Sequence, residues 1–247
     1  MSLDNLQKST ANIKSDWEGS VRQRAELGLA NIEESTAPVF LQINPDIINA
    51  QFDIESFGIE IISEEADGFI IGASQDNLNT LEEKIAGFIN SEHATGRIAD
   101  FWQIIEGDRE EWKPKHILSE NLYSRWHEIV DDEIYRVEIS VAFAKPLGKE
   151  PDPEKRGGET RLLKYREQQE QRDSLLLERQ DHFEEFISHY GNIISSIVEL
   201  EDSFACEAEI CGLGLKDMVV NYQYVFEVSE IDEISGINGA DNELDDF

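Results

Sequence analysis

The sequence predicts an α+β protein built from two tandem β-α-β-β-α-β modules, with an N-terminal helix and a bridging helix between the modules. Three observations carry that reading. Within residues 132–231, period-two apolar patterns and helical patterns alternate in the order β-α-β-β-α-β. Residues 36–106 pass through the same order. Residues 107–131, charged and turn-rich before a helical pattern, separate the two. Right-handed crossovers in such a unit place both helices on one face of a four-stranded antiparallel sheet, the ferredoxin-like arrangement. The halves share an organisation rather than residue identity, so this is no sequence repeat.

Residues 1–35 form a helical arm: over 3–32 the apolar positions Leu6, Ile13, Trp17, Val21, Leu27 and Leu29 recur near helical spacing, and Gly28 is a point to bend or end. In the first module Pro38 introduces a strand over 39–43. Asn44-Pro45-Asp46 is a turn whose proline suits the first position of a helix over 46–57, ended by Gly58. Residues 59–64 alternate apolar and polar, Ala66-Asp67-Gly68 makes a hairpin turn, and 69–73 returns. A helix over 79–89 places Leu81, Ile85, Phe88 and Ile89 on one face behind a Thr80-x-x-Glu83 capping box, and a strand over 98–105 completes the unit.

In the bridge, residues 107–114 read as a loop and 117–130 as a helix with Ile117, Leu118, Leu122, Trp126 and Ile129 on one side. The second module, 132–231, opens on a clean alternation over 134–141, followed by a loop over 145–158 with three prolines and three glycines. The helix over 160–190 is about 31 residues, roughly 47 Å long. Its first half lacks an apolar stripe and is expected to project into water, whereas Leu176, Phe183, Phe186, Ile187 and Tyr190 form a core stripe ended by Gly191. Strands over 192–200 and 204–210, a helix over 213–220 and a strand over 224–231 follow, and the acidic 232–247 reads as a flexible tail.

With 40% hydrophobic and 30% charged residues, the 247-residue chain can bury two modest cores in water. Its 53 acidic against 21 basic residues give a formal charge of −32, which repels nucleic-acid phosphates and anionic membranes and excludes both as expected partners. No basic patch intervenes: the densest basic run, Lys155-Arg156 with Arg161, Lys164 and Arg166, is interleaved with glutamates. Cys206 and Cys211 are too few for a disulfide framework or a zinc set and read as buried free thiols. No stretch approaches the roughly 18 apolar residues of a membrane span, and the N-terminus lacks the apolar run of a secretion signal, so a cytoplasmic location is expected.

No catalytic constellation is expected. There is no Gly-x-Ser-x-Gly elbow, and neither cysteine has a histidine beside it. His93, His116, His127, His182 and His189 are scattered; His182 and His189 lie one heptad apart without a His-Glu-x-x-His order, and solvent-facing rings are the expectation. Gly212-Leu213-Gly214 sits where a phosphate loop would, yet lacks the third glycine and the acidic partner, so a tight turn is expected. Glu64, Glu65 and Asp67 fall at a hairpin turn and read as solvated. Metal, cofactor and catalytic residues are all expected to be none.

Phe57-Gly58-Ile59-Glu60-Ile61-Ile62-Ser63-Glu64-Glu65, Gly68-Phe69-Ile70-Ile71-Gly72-Ala73-Ser74 and Ala86-Gly87-Phe88-Ile89 resemble the region preceding the catalytic domain in bacterial subtilisin-like serine peptidases. Leu215-Lys216-Asp217-Met218 leading to Val225-Phe226-Glu227-Val228 is similar to the way subtilase propeptides finish. The family's catalytic signatures Asp-Thr/Ser-Gly, His-Gly-Thr and Gly-Thr-Ser are missing, so no catalytic residue carries over. The resemblance implies a propeptide-like region that binds, inhibits and assists the folding of a subtilisin-like catalytic domain, in cis or in trans. It implies that the open sheet face packs on two protease helices while the tail enters the cleft as a substrate-like strand. The candidate protease-contacting residues are then Leu244, Asp245, Asp246 and Phe247, with Phe247 preceding the scissile bond. The alternative is a stand-alone acidic protein-interaction or assembly subunit without a protease partner.

Overall fold

A computed structural model describes residues 3–43, 60–65, 68–74, 102–104, 109–144 and 147–231. Over these the chain is α+β, with two antiparallel sheets. Helix α1 (Leu3–Leu27) buries Trp17 and Arg24. It stops short of the expected residue 32 because Gly28 takes φ 66°, the left-handed conformation that closes helices. Residues 29–35 continue without regular structure but bury Ala30 and Ile32.

The first sheet holds β1 (Thr36–Ile43), β2 (Glu60–Glu65), β3 (Gly68–Ser74) and β4 (Trp102–Ile104) in the order β2-β3-β1-β4. Strand β1 pairs with β3 from Thr36↔Ser74 to Gln42↔Gly68, and a register shift between Ile61 and Ser63 marks a bulge in β2. Its buried residues include Ala37, Val39, Phe40, Ile62, Phe69, Ile70 and Ile71. The helices expected over 46–57 and 79–89 lie outside the described residues.

The bridge differs from its expectation. Residues read as loop form α2 (Arg109–Ile117), and the expected helix over 117–130 is broken into α3 (Glu120–Ser124) and a 3-10 turn (Trp126–Glu128). Pro114 lies inside α2, so one helical hydrogen bond is forgone there. What holds the helix is its burial: it packs against residues 212–221 and 225–230, burying Lys113 and Ile117, and its Trp112 stacks on Phe40 of β1 at 5.8 Å. Ser119 starts α3 by accepting from the Leu122 amide.

The second sheet consists of β5 (Ile134–Ala142), β6 (Gly191–Ile193), β7 (Val198–Glu199), β8 (Ser203–Cys211) and β9 (Val225–Glu230), with α4 (Gly158–Tyr190) and α5 (Gly212–Asn221) between them. Its order is β6-β8-β5-β9, with β7 also beside β8. Counting along each unit, both sheets therefore place their strands second, third, first, fourth. The strand expected over 192–200 is two short pieces, because after Ile193 the chain leaves the ladder. Ser195 holds the gap by accepting from the Glu207 amide at 2.8 Å. At the other edge Leu118 bridges to Val228, and the Ser119 amide donates to the Val228 carbonyl at 2.9 Å.

One face of this sheet carries the main core. Val137, Ile139 and Val141 of β5, with Phe204 and Ala208 of β8, are all 0% exposed. They meet Phe183 and Ile187 of α4 and Leu215 and Met218 of α5, each burial contributing about 1.5–3 kcal/mol per large side chain. Tyr222 sits in the middle with its ring edge-on to Phe183 and Phe186 at 5.4 and 5.0 Å. The α4–α5 contact requires glycine: a Cβ on Gly214 would lie 2.3 Å from Cβ of Tyr190. As expected, the first half of α4 is mostly exposed; Arg172 marks its edge, stacked 4.5 Å from the Phe143 ring centroid.

Candidate docking surface

Strand residues alternate between faces, so the positions between the core residues of β5, β8 and β9 point away from the helices. The register aligns Arg136 with Glu209, Glu138 with Glu207 and Ser229, and Ser140 with Ala205 and Glu227. Among the described residues this open face is a carboxylate field of Glu138, Glu207, Glu209 and Glu227 around Arg136, with Ser140 buried. Arg136 answers Glu209 at 2.7 Å, while Glu138 and Glu207 stand directly opposite each other, an unfavourable like-charge pair. Two exposed apolar side chains share this face: Ile134, and Val198 through its pairing with Ala205.

Behind it, two buried polar junctions hold the rest of the chain to the second module. In the first, Arg179 of α4 donates to Glu60 of β2 at 2.6 Å and to the Ala142 and Phe143 carbonyls at 2.9 and 3.0 Å, with its guanidinium 3.4 Å from the Tyr224 ring centroid. Burial alone would weaken its charge, but the Glu60 carboxylate, together with Tyr224 and Tyr222, outweighs that, so its pKa is raised. Glu33 accepts from the Tyr224 hydroxyl and, at 2.9 Å each, from Ser35 and Thr36. Burial pushes this carboxyl up, but the three hydroxyl donors bring it below its ordinary value. The Gln223 amide nitrogen donates to the Glu33 carbonyl, and Lys113, wholly buried, donates to the Tyr222 carbonyl. Burial holds that amine well below the ordinary lysine range, with Arg109 adding to the effect.

In the second junction Asp217 of α5 receives Arg24 of α1, the Tyr190 hydroxyl at 2.7 Å and Asn221 at 2.9 Å. Arg24 also donates to the Ala30 carbonyl at 2.7 Å, and the Ala30 amide donates to Tyr190. An open cleft of about 350 Å³ lies beside it, lined by Leu29, Trp126, His127, Leu213 and Lys216 among others. Of its polar lining, Asp217 and Asn221 are engaged as above, and Lys216 with Asp131 at 2.8 Å.

The residues weighed from sequence fall as follows. Cys206 is buried and Cys211 half-buried, both as free thiols; burial, then Glu184, pushes the Cys206 thiol up to about 12. The solvent-facing reading holds for His127 and His189. It fails for His182, which is half-buried with Nδ1 3.1 Å from the Tyr222 hydroxyl, and His116 is likewise half-buried, its ring tilted against Phe40 at 4.3 Å. Gly212-Leu213-Gly214 is not the tight turn expected but the first turn of α5; the Gly212 and Leu213 amides donate to the Glu133 and Asp131 carbonyls at 2.8 and 3.0 Å, so those two donors are taken. Glu64 is exposed, and Glu65 accepts from Ser63 at 2.6 Å. His93, Asp67, Leu244, Asp245, Asp246 and Phe247 lie outside the described residues.

Sequence reasoning missed the two junctions. Arg179 had a signal, since it occupies the stripe position between Leu176 and Phe183. The Arg24–Asp217 pairing had none, being a contact between residues at opposite ends of the chain. Among the described residues no group of His, Cys, Asp or Glu could hold a metal ion, and no helix is long and apolar enough to cross a membrane. No family model, curated protein or solved structure matches the chain.

Proposed function

We propose that the chain is a non-catalytic docking protein of two tandem ferredoxin-like modules, which acts on a partner protein through the open face of its second sheet. The observation that carries this is the second sheet itself: two helices cover one face, while the other leaves Glu138, Glu207 and Glu227 exposed. The shared strand order of the two sheets supports the tandem reading. Buried polar groups at the junctions are spent on holding the arm and the first sheet in place, which suits a rigid platform better than a reaction site.

The partner class suggested by the sequence resemblance is a subtilisin-like serine peptidase, which the protein would bind, inhibit and help to fold in the manner of a propeptide. Residues 232–247 would then supply the substrate-like strand. Slow, tight inhibition of such a peptidase by the purified chain, weakened by removing residues 232–247, is the expected result. Peptidase activity unchanged at micromolar protein would overturn the peptidase reading. The carboxylate field favours a second reading, an acidic interaction or assembly subunit, because docking on protease helices asks for a more apolar surface than this face presents.

A further inference from the structure

We infer that the open face of the second sheet receives the basic tip of α4 from a second copy of this chain; the inference rests on reading that face as a docking surface. The tip is the counterpart in charge. Residues 155–166 contain Lys155, Arg156, Arg161, Lys164 and Arg166 against Glu159 alone, within a chain of net charge −32.

Arg161, in the first turn of α4, faces the positive end of the macrodipole at a small cost in stability. Glu138 opposite Glu207 costs stability in the ladder. Two local costs of opposite sign are both relieved when tip meets face. Apolar contact is provided on each side, since Leu163 on the tip is 60% exposed and Val198 on the face 56%.

The contact has to be made between copies. Beyond Arg172 the helix runs on for about 14 residues, roughly 20 Å, and α4 lies on the sheet's opposite face. A tip on that rigid helix does not reach its own carboxylates. Exchanged reciprocally, two such contacts close a two-fold dimer; made head to tail they extend into a chain. The whole-molecule charge opposes approach, but at physiological salt it is screened beyond about 8 Å, whereas the paired charges meet in contact. Association is therefore strongest at intermediate ionic strength and is lost toward 1 M salt, where the Debye length is about 3 Å.

Sedimentation of the full chain reads this directly. At about 0.15 M salt the wild type sediments above the monomer at high micromolar concentration, and the apparent Kd rises about tenfold or more by 1 M salt. Lys164→Glu with Arg166→Glu is monomeric, and so is Glu138→Lys with Glu207→Lys, with circular dichroism and melting confirming that both fold. Mixed in equal amounts, the two variants associate, because an acidic tip then meets a basic face and the reverse. A wild type that stays monomeric to about 1 mM, or an oligomer indifferent to salt and to both reversals, overturns the inference. So does a mixture of two folded variants that fails to associate. Inhibition of a subtilisin-like peptidase is a separate readout: a monomeric inhibitor sinks this inference alone, and a self-associating protein without inhibition sinks the peptidase reading alone.

Discussion

Asp217→Ala tests how the N-terminal arm is fastened. In the folded protein the Arg24 and Asp217 side chains are 7% and 4% exposed. Removing one member of a buried pair strands the other charge, at a cost of about 3–5 kcal/mol. Here Tyr190 and Asn221 lose their acceptor as well, while Arg24 keeps the Ala30 carbonyl. The loss is capped by the free energy of docking the arm, because the arm can peel away and return the guanidinium to water. For a chain of this size about 2–4 °C accompanies each kcal/mol, so calorimetry should show the melting midpoint falling by roughly 6–20 °C. Limited proteolysis should show new cleavage within residues 28–35. Arg24→Met with Asp217→Leu removes both charges and refills the space, and should recover most of the loss, since apolar replacements of buried pairs are often neutral or stabilising. A single variant that melts within about 2 °C of wild type, with an unchanged cleavage pattern, would refute the reasoning. So would a double variant as unstable as the single one.

Three further outcomes follow from the junctions and the core. Glu33 has a folded pKa below its ordinary 4.5, so the stability it confers is present at neutral pH and lost as pH falls through 4.5 toward the folded value. Glu33→Gln should flatten the dependence of urea midpoints on pH in that acid window, and an unchanged slope would contradict the bonding described. Lys113 has a folded pKa well below 10.5, so the unfolded chain binds the extra proton and stability climbs as pH rises toward 10.5. Lys113→Met should gain most over wild type at low pH and least near pH 10.5, where wild type keeps the bond to the Tyr222 carbonyl; a constant difference across pH would reject this. For Cys206, burial holds the thiol up at about 12, so a thiol-specific disulfide reagent should label Cys211 in the native protein and Cys206 only on unfolding. Two equally fast thiols would mean that the core around Phe204 and Ala208 opens freely.

The elements that read well from sequence are those whose pattern and burial coincide. Strand β5 alternates because one face is core and the other water, and the end of α4 shows its stripe because Leu176, Phe183, Phe186 and Ile187 all face one sheet. The bridge read badly because its helix is short, highly charged and interrupted by Pro114, and because Lys113, a residue that usually seeks water, is buried on the stripe. The break between β6 and β7 was hidden because Ile194, Ile197, Val198 and Leu200 favour strand wherever the chain actually goes. As for the docking face, its acidic residues were legible as strand positions. Their mutual opposition depends on the register between β5 and β8, which local pattern does not specify.

The interrupted edge of the second sheet has a consequence for recognition. With β6 and β7 separated on one side and Leu118 and Ser119 seated at Val228 on the other, the sheet offers no long row of free amides and carbonyls for an incoming strand to copy. Backbone templating is sequence-blind and tends toward runaway growth. A partner barred from it must be recognised through side chains, where a single charge reversal is enough to change which partner is accepted.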